Sequence, residues 1–174
     1  MADSLTSDFC SLKTNYHTQL FDTISDVANI WDQLAPKDNI FLQRPYLELL
    51  ERFPPKGFQF YYLVFFKKET PIGIAPLQKM HFVSKEAVNL SNSESKFFER
   101  SREQLLKVLN FDFLICGNAA LTGEYAFHFQ TKALSDLEQF QLVEEGLTYA
   151  KKTIEKKYSK RIDGILIKEF KADK

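Results

Sequence analysis

Apolar residues in this chain follow three patterns, and each pattern predicts a different kind of element. The most apolar run is 58–67, FQFYYLVFFK, in which both alternating sets of residues are apolar. A strand with two apolar faces is covered on both sides, as in the centre of a sheet. The run 71–82 follows a turn at 67–70 and predicts the returning strand of a hairpin. Pro76 lacks an N–H, so it suggests an edge strand or a bulge at that point.

Helical spacing of apolar residues predicts three clear helices. Two short stretches, 25–35 and 45–53, each carry one apolar stripe; Ser25-Asp26 caps the first, and a proline opens the second. The predicted buried face of the second helix is Tyr46, Leu49, Leu50 and Phe53. Further along, Ser135 and Glu138 match the S-x-x-E capping box, which predicts a helix from 135 to 158.

Weaker patterns complete the order of elements. They predict a first strand at 16–24, a helix at 96–106, and strands at 107–116 and 162–170. The resulting order is β-α-α-β-β-(α)-β-α-β. Its last strand, helix and strand predict a parallel right-handed crossover. We therefore expect an α/β fold with a mixed sheet and helices on both faces, as a single domain over residues 15–174 after a disordered extension at 1–14.

The stretch 109–127, LNFDFLICGNAALTGEYAF, is a candidate ligand site. It begins as a buried strand and ends in a loop rich in small and polar residues: Gly117, Asn118, Thr122, Gly123 and Glu124. In open α/β sheets, ligands bind where loops leave the carboxyl ends of strands. Gly and Asn are also common turn formers, so an ordinary loop is the other interpretation.

Composition and charge exclude several classes of protein. The chain has 174 residues, 17 of them Phe, which favours a large core, and 23 basic residues balance 23 acidic ones. A nucleic-acid binder normally has a basic excess, so no nucleic acid is expected. Two cysteines and three scattered histidines form no disulfide framework and no metal-ligand spacing, so no metal is expected. The N-terminus lacks the regions of a signal peptide, and no run is long enough to span a membrane, which together predict a cytoplasmic protein.

Three short motifs stand at the hairpin, the strand end and the loop: GIAP at 73–76, LICGN at 114–118 and TGE at 122–124. With the element order, they resemble the GNAT acyltransferase fold over residues 31–170. The local sequence is similar to a branch related to the Fem-type peptidoglycan aminoacyltransferases, whose members carry two GNAT-like domains in tandem. A complete GNAT domain has a further helix and two further strands, so the resemblance implies a partial GNAT-like fold, incomplete at its C-terminal end.

The resemblance also implies a site and an activity. In GNAT enzymes the acyl thioester lies in a gap between the fourth and fifth strands, and a helix N-terminus holds the pyrophosphate. The implied cofactor is acyl-CoA, and the implied cofactor-binding residues are Ile115, Cys116, Gly117, Asn118, Thr122 and Gly123. Glu124 is the nearest candidate to receive a proton or bind an amine. The implied function is an N-acyltransferase or aminoacyltransferase that transfers from a thioester or carrier to an amine.

Two alternatives remain open. The usual GNAT cofactor motif, Q/R-x-x-G-x-G/A, is absent, which favours a non-catalytic GNAT-like module that completes a groove for a partner domain. The other alternative is a plain interaction domain without a ligand. If the sheet is unfinished, its last strand presents an open edge, so the expected partners are a second GNAT-like domain or a second copy of the chain. Cys116 is either a nucleophile or, as is commoner for an apolar position, a buried thiol.

Overall fold

The computed structural model describes residues 15–83, 110–119, 126–131 and 133–168. The strands are β1 (Tyr16–Phe21), β2 (Phe58–Lys67), β3 (Thr70–Val83), β4 (Asn110–Cys116), β5 (His128–Phe129) and β6 (Gly164–Ile167). The α-helices are α1 (Ala28–Leu34), α2 (Arg44–Arg52) and α3 (Asp136–Tyr158), with 3₁₀ turns at Ile24–Val27 and Ile40–Leu42. None of the helices in these ranges is both long and apolar enough to cross a membrane. The predicted helix at 96–106 and the extension at 1–14 lie outside the described residues.

The strands form one mixed sheet in the order β1-β2-β3-β4-β6, and β5 pairs with the first half of β3. β4 and β6 run parallel, whereas the other neighbours are antiparallel. α3 lies between β4 and β6 in the chain, as expected for the predicted crossover. The mixed α/β fold and the predicted order are confirmed for the described residues. β5 was not predicted, because a strand of two residues shows no periodicity.

Helices cover both faces of the sheet. One set of alternating β2 residues, Tyr61, Leu63 and Phe65, packs with α3, and the other set, Tyr62, Val64 and Phe66, packs with the α1 and α2 side. The β2 strand has the predicted bounds, and its interior residues 61–66 are all buried. Its two apolar faces therefore have the covered environment that the sequence predicted.

The first helix differs from the prediction in its cap, and the second helix differs in its buried face. Thr23 caps the first helical turn, since its Oγ1 accepts from the Asp26 N–H at 3.3 Å; Ser25 lies inside that turn. On α2, Leu47 is buried, whereas Leu49 and Phe53 are 54% and 65% exposed. The pattern was ambiguous because apolar residues lie on more than one side of this short helix. Packing against the α1 side of the sheet selected the face of Leu47.

Pro76 lies in an internal strand, and neither the edge strand nor the bulge that the sequence suggested is present at this residue. On the side of β3 away from β2, Ile74 pairs with β5 and Leu77 pairs with β4. Pro76 therefore lies where β3 changes neighbours, and a residue without an N–H is tolerated at such a break. The irregularity in the β2–β3 register is elsewhere, between Phe65 and Phe66.

Candidate functional site

β4 is hydrogen-bonded to both neighbouring strands up to its carboxyl end. Cys116 pairs with β3 on one side and with β6 on the other. The Gly117 N–H donates to the Pro76 carbonyl at 2.9 Å, and the Lys168 N–H donates to the Cys116 carbonyl at 3.1 Å. A gap between strands, as the resemblance implies, is therefore not present up to Cys116 and Lys168.

The chain leaves β4 in a turn that two side chains hold in place. Gly117 has a φ of +98°, a conformation that residues with a Cβ rarely adopt. The buried Asn118 donates from Nδ2 to the Tyr46 hydroxyl of α2 at 2.7 Å. The Ala119 N–H donates to Oε1 of Gln78 at 2.9 Å. The strand end is thus tied to α2 on one side and to β3 on the other.

Sequence reasoning missed Gln78 and Lys168 at this end of the sheet. Gln78 is 6% exposed, and its side chain supports the turn after β4. A polar residue inside an otherwise apolar strand was the signal that could have identified it. The Lys168 ammonium lies 3.5 Å from the Ala119 carbonyl and brings a positive charge to the strand end.

Cys116 is a buried thiol and not a nucleophile. Its Sγ lies 3.1 Å from the Ala126 carbonyl, and its side chain packs in the core under α3. Burial raises the pKa of the thiol to about 12. Because the thiolate is the reactive form, the neutral thiol is inert near pH 7. A ligand at this strand end would meet the backbone of Cys116.

The structure places four of the predicted site residues together. Ile115 and Cys116 are the last residues of β4, and Gly117 and Asn118 form the turn that follows. Thr122, Gly123 and Glu124 lie outside the described residues, so their roles stay predictions. Across the described ranges, no group of three or more His, Cys, Asp or Glu residues is arranged to hold a metal ion.

No protein-family model matches the chain, and no curated protein matches it significantly in sequence. Among solved structures, it is similar to the crystal structure of a GNAT family acetyltransferase from Staphylococcus aureus subsp. aureus USA300_TCH1516. The match covers 92% of this chain and 94% of that chain, with 12% sequence identity and a TM-score of 0.44. Because one fold serves many unrelated activities, this similarity assigns no residue role here.

Proposed function

We propose that this chain is an acyltransferase-like or aminoacyltransferase-like domain that binds its donor at the carboxyl end of β4. The observation that supports this is the β4–α3–β6 crossover, the parallel pair within an otherwise antiparallel sheet. The carboxyl ends of β4 and β6 meet at the Gly117 turn, and ligands of open α/β sheets bind at such ends. The observed element order also fits the GNAT resemblance of the sequence.

The residues at this end fit an anionic carrier such as acyl-CoA in two respects. Lys168 supplies an ammonium next to the turn, and ammonium groups bind phosphate oxygens. Gly117 in this turn has no side chain, so a ligand can approach the backbone of that residue closely. When bound, acyl-CoA supplies an acyl group activated as a thioester. In this proposal Lys168 binds the carrier, and Glu124 accepts the proton that the attacking amine loses.

The non-catalytic alternative has its own support. β4 is hydrogen-bonded on both sides up to Cys116, which leaves no gap for a thioester in the described part of the strand. Asn118 and Gln78 use their amides to support the turn. In that alternative the turn shapes a groove for a partner domain, and no transfer occurs.

Calorimetry with acetyl-CoA and longer acyl-CoAs, together with a transfer assay on amine acceptors, tests both functions. We expect binding by the full chain and about fivefold weaker binding by Lys168→Gln, as for one half-exposed ion pair. Glu124→Ala should retain binding and lose transfer. The matched controls are Lys152→Gln and Glu144→Ala, both exposed on α3.

The outcomes separate the two functions. If none of the acyl-CoAs binds, acyl-CoA is not the donor and the acyltransferase form of the proposal is wrong. Binding without transfer, with Glu124→Ala indistinguishable from the unchanged chain, would favour the non-catalytic module. Equal weakening by Lys168→Gln and Lys152→Gln would show that the carrier binds elsewhere.

A further inference from the structure

A cleft of about 300 Å³ lies near the other end of β4. Its lining includes Gln59, Lys79, His81, Asp112 and Lys160. Lys79 and Asp112 are each two residues from a leucine that packs under α3, so strand alternation places them on the α3 face of the sheet. Asp112 precedes Cys116 by four residues, about 13 Å along a strand. The cleft is therefore separate from the proposed donor site and does not depend on it.

Asp112 is an ionised carboxylate held by two basic side chains. Its Oδ1 lies 2.7 Å from His81 Nδ1, and its Oδ2 lies 3.3 Å from the Lys79 ammonium. Burial raises the pKa of Asp112, but the hydrogen bonds from His81 and Lys79 outweigh burial and leave the pKa below its ordinary value. The backbone of Asp112 is held as well. Its N–H donates to Oδ2 of Asp163 at 3.0 Å, and its carbonyl accepts from the Asp163 N–H at 2.8 Å.

The carboxylate also sets the tautomer of His81. An ionised carboxylate can only accept, so Nδ1 of His81 must donate the 2.7 Å hydrogen bond. In the neutral ring Nε2 is then an acceptor, and on protonation it becomes a second donor, directed away from Asp112. The His81 side chain is 46% exposed, so Nε2 can meet a ligand in the cleft.

Lys79 has hydrogen-bonding capacity that the described residues do not fill. Its side chain is 7% exposed, and the ion pair that it makes within the described ranges is the one with Asp112 at 3.3 Å. An ammonium carries three donors, and a strong charge-assisted bond measures about 2.7–2.9 Å. Burying an ammonium is costly unless acceptors meet its donors. The remaining donors of Lys79, which lines the cleft, can therefore meet acceptors of a ligand bound there.

We propose that this cleft binds the phosphate group of a small molecule. The two lysines and Asp112 give the lining a net charge of +1, which becomes +2 when His81 is protonated. A phosphate dianion matches that charge and offers acceptors to Lys79, Lys160 and protonated His81 at once. Asp112 does not oppose binding strongly, because Lys79 and His81 already occupy both of its oxygens. The cleft volume suits a small ligand.

NMR titration of the full chain with inorganic phosphate tests the proposal through the three histidines. Phosphate should shift the ring signals of His81 in a saturable way, because this ring lines the cleft. His17, stacked on Phe66, and His128, in β5, serve as internal controls and should not respond. Among the described residues, the charged groups that line the cleft with His81 are Asp112, Lys79 and Lys160. Asp163, which accepts from the Asp112 N–H, pairs with Arg161 at 3.4 Å.

Variants at the exposed Lys160 and His81 keep the test independent of folding, and a variant of the buried Lys79 adds to it. Lys160→Gln should weaken phosphate binding about threefold, whereas the matched control Lys152→Gln on α3 should not change it. Lys79→Met should weaken binding more than tenfold. With sulfate, whose charge is constant near neutrality, affinity should rise on acidification because a protonated imidazole adds a donor, and His81→Gln should abolish that dependence.

Three results would overturn the proposal. The first is the absence of saturable phosphate binding, and the second is binding that shifts the signals of the three histidines alike. The third is acetate binding as tightly as phosphate with the same dependence on Lys160, which would exclude a phosphate-selective site.

Discussion

The hydroxyl groups of Tyr46 and Tyr62 differ in their hydrogen bonding. The Tyr46 hydroxyl accepts from Nδ2 of Asn118 at 2.7 Å. The Tyr62 hydroxyl is buried and has no hydrogen-bond partner among the described residues. The nearby Glu51 carboxylate accepts from the Ile24 N–H through Oε1 at 2.8 Å. Burial next to this carboxylate raises the pKa of Tyr62 far above its ordinary value, so the hydroxyl stays neutral.

Matched Tyr→Phe substitutions should therefore differ in their effect on stability. Tyr46→Phe removes the acceptor of Asn118 and should lower the free energy of unfolding by about 1 kcal/mol. Tyr62→Phe keeps the ring that meets Trp31 edge-on and removes an unsatisfied hydroxyl, so stability should be unchanged or higher by up to ~1 kcal/mol. Urea unfolding measures both variants. An equal loss of stability in the two variants would show that the Tyr62 hydroxyl is hydrogen-bonded.

At the scale of the element, α3 begins with the capping box that the sequence predicted. Ser135 Oγ accepts from the Glu138 N–H at 3.4 Å, and the Glu138 carboxylate accepts from the Ser135 N–H at 2.7 Å. Ser135→Ala should lower the free energy of unfolding by about 1 kcal/mol near neutral pH. Denaturant unfolding checks this, and the exposed Glu144→Gln on the same helix is the control.

The stabilisation by this cap should depend on pH. Hydrogen bonds from the Ser135 side chain and backbone hold the pKa of Glu138 below its ordinary value. A group with a lowered pKa adds stability above its unfolded pKa, and that stability is lost as pH falls through the folded pKa. The difference between Ser135→Ala and the unchanged chain should therefore shrink below about pH 4. A stability difference between Ser135→Ala and the unchanged chain that stays constant down to about pH 2 would show that it does not depend on the ionised Glu138.

Elements with a strong local sequence pattern were predictable, whereas features that depend on packing between elements were not. β2 has the predicted bounds because both of its faces are apolar, and α3 begins at its cap. The buried face of α2 was predicted wrongly at Leu49 and Phe53, since its short sequence offered apolar residues on several sides. The position of Pro76 depended on a change of neighbours along β3, which no local pattern in the chain encodes.

At the scale of the molecule, we propose that copies of the chain associate through β6. In the described sheet β6 pairs with β4 on one side, and Leu166 on it is 46% exposed. Exposed strand edges pair with other chains. Light scattering at high protein concentration should show a dimer or larger species, and Leu166→Lys should reduce it. Leu137→Lys, at a 67% exposed position on α3, is the matched control and should have no effect. A monomer at all concentrations would contradict this proposal.

The sequence by itself determined the mixed α/β fold, the strand β2 with its two apolar faces and the capped helix α3, because these depend on periodicity and capping within short segments. It also indicated the end of β4 as a place for a ligand. Only the tertiary structure decided which side chains meet. Asn118 reaches Tyr46 across 72 positions of the chain, and His81 reaches Asp112 across 31. Such pairs depend on strand register and on the packing of α2 against the sheet, and neither follows from local sequence.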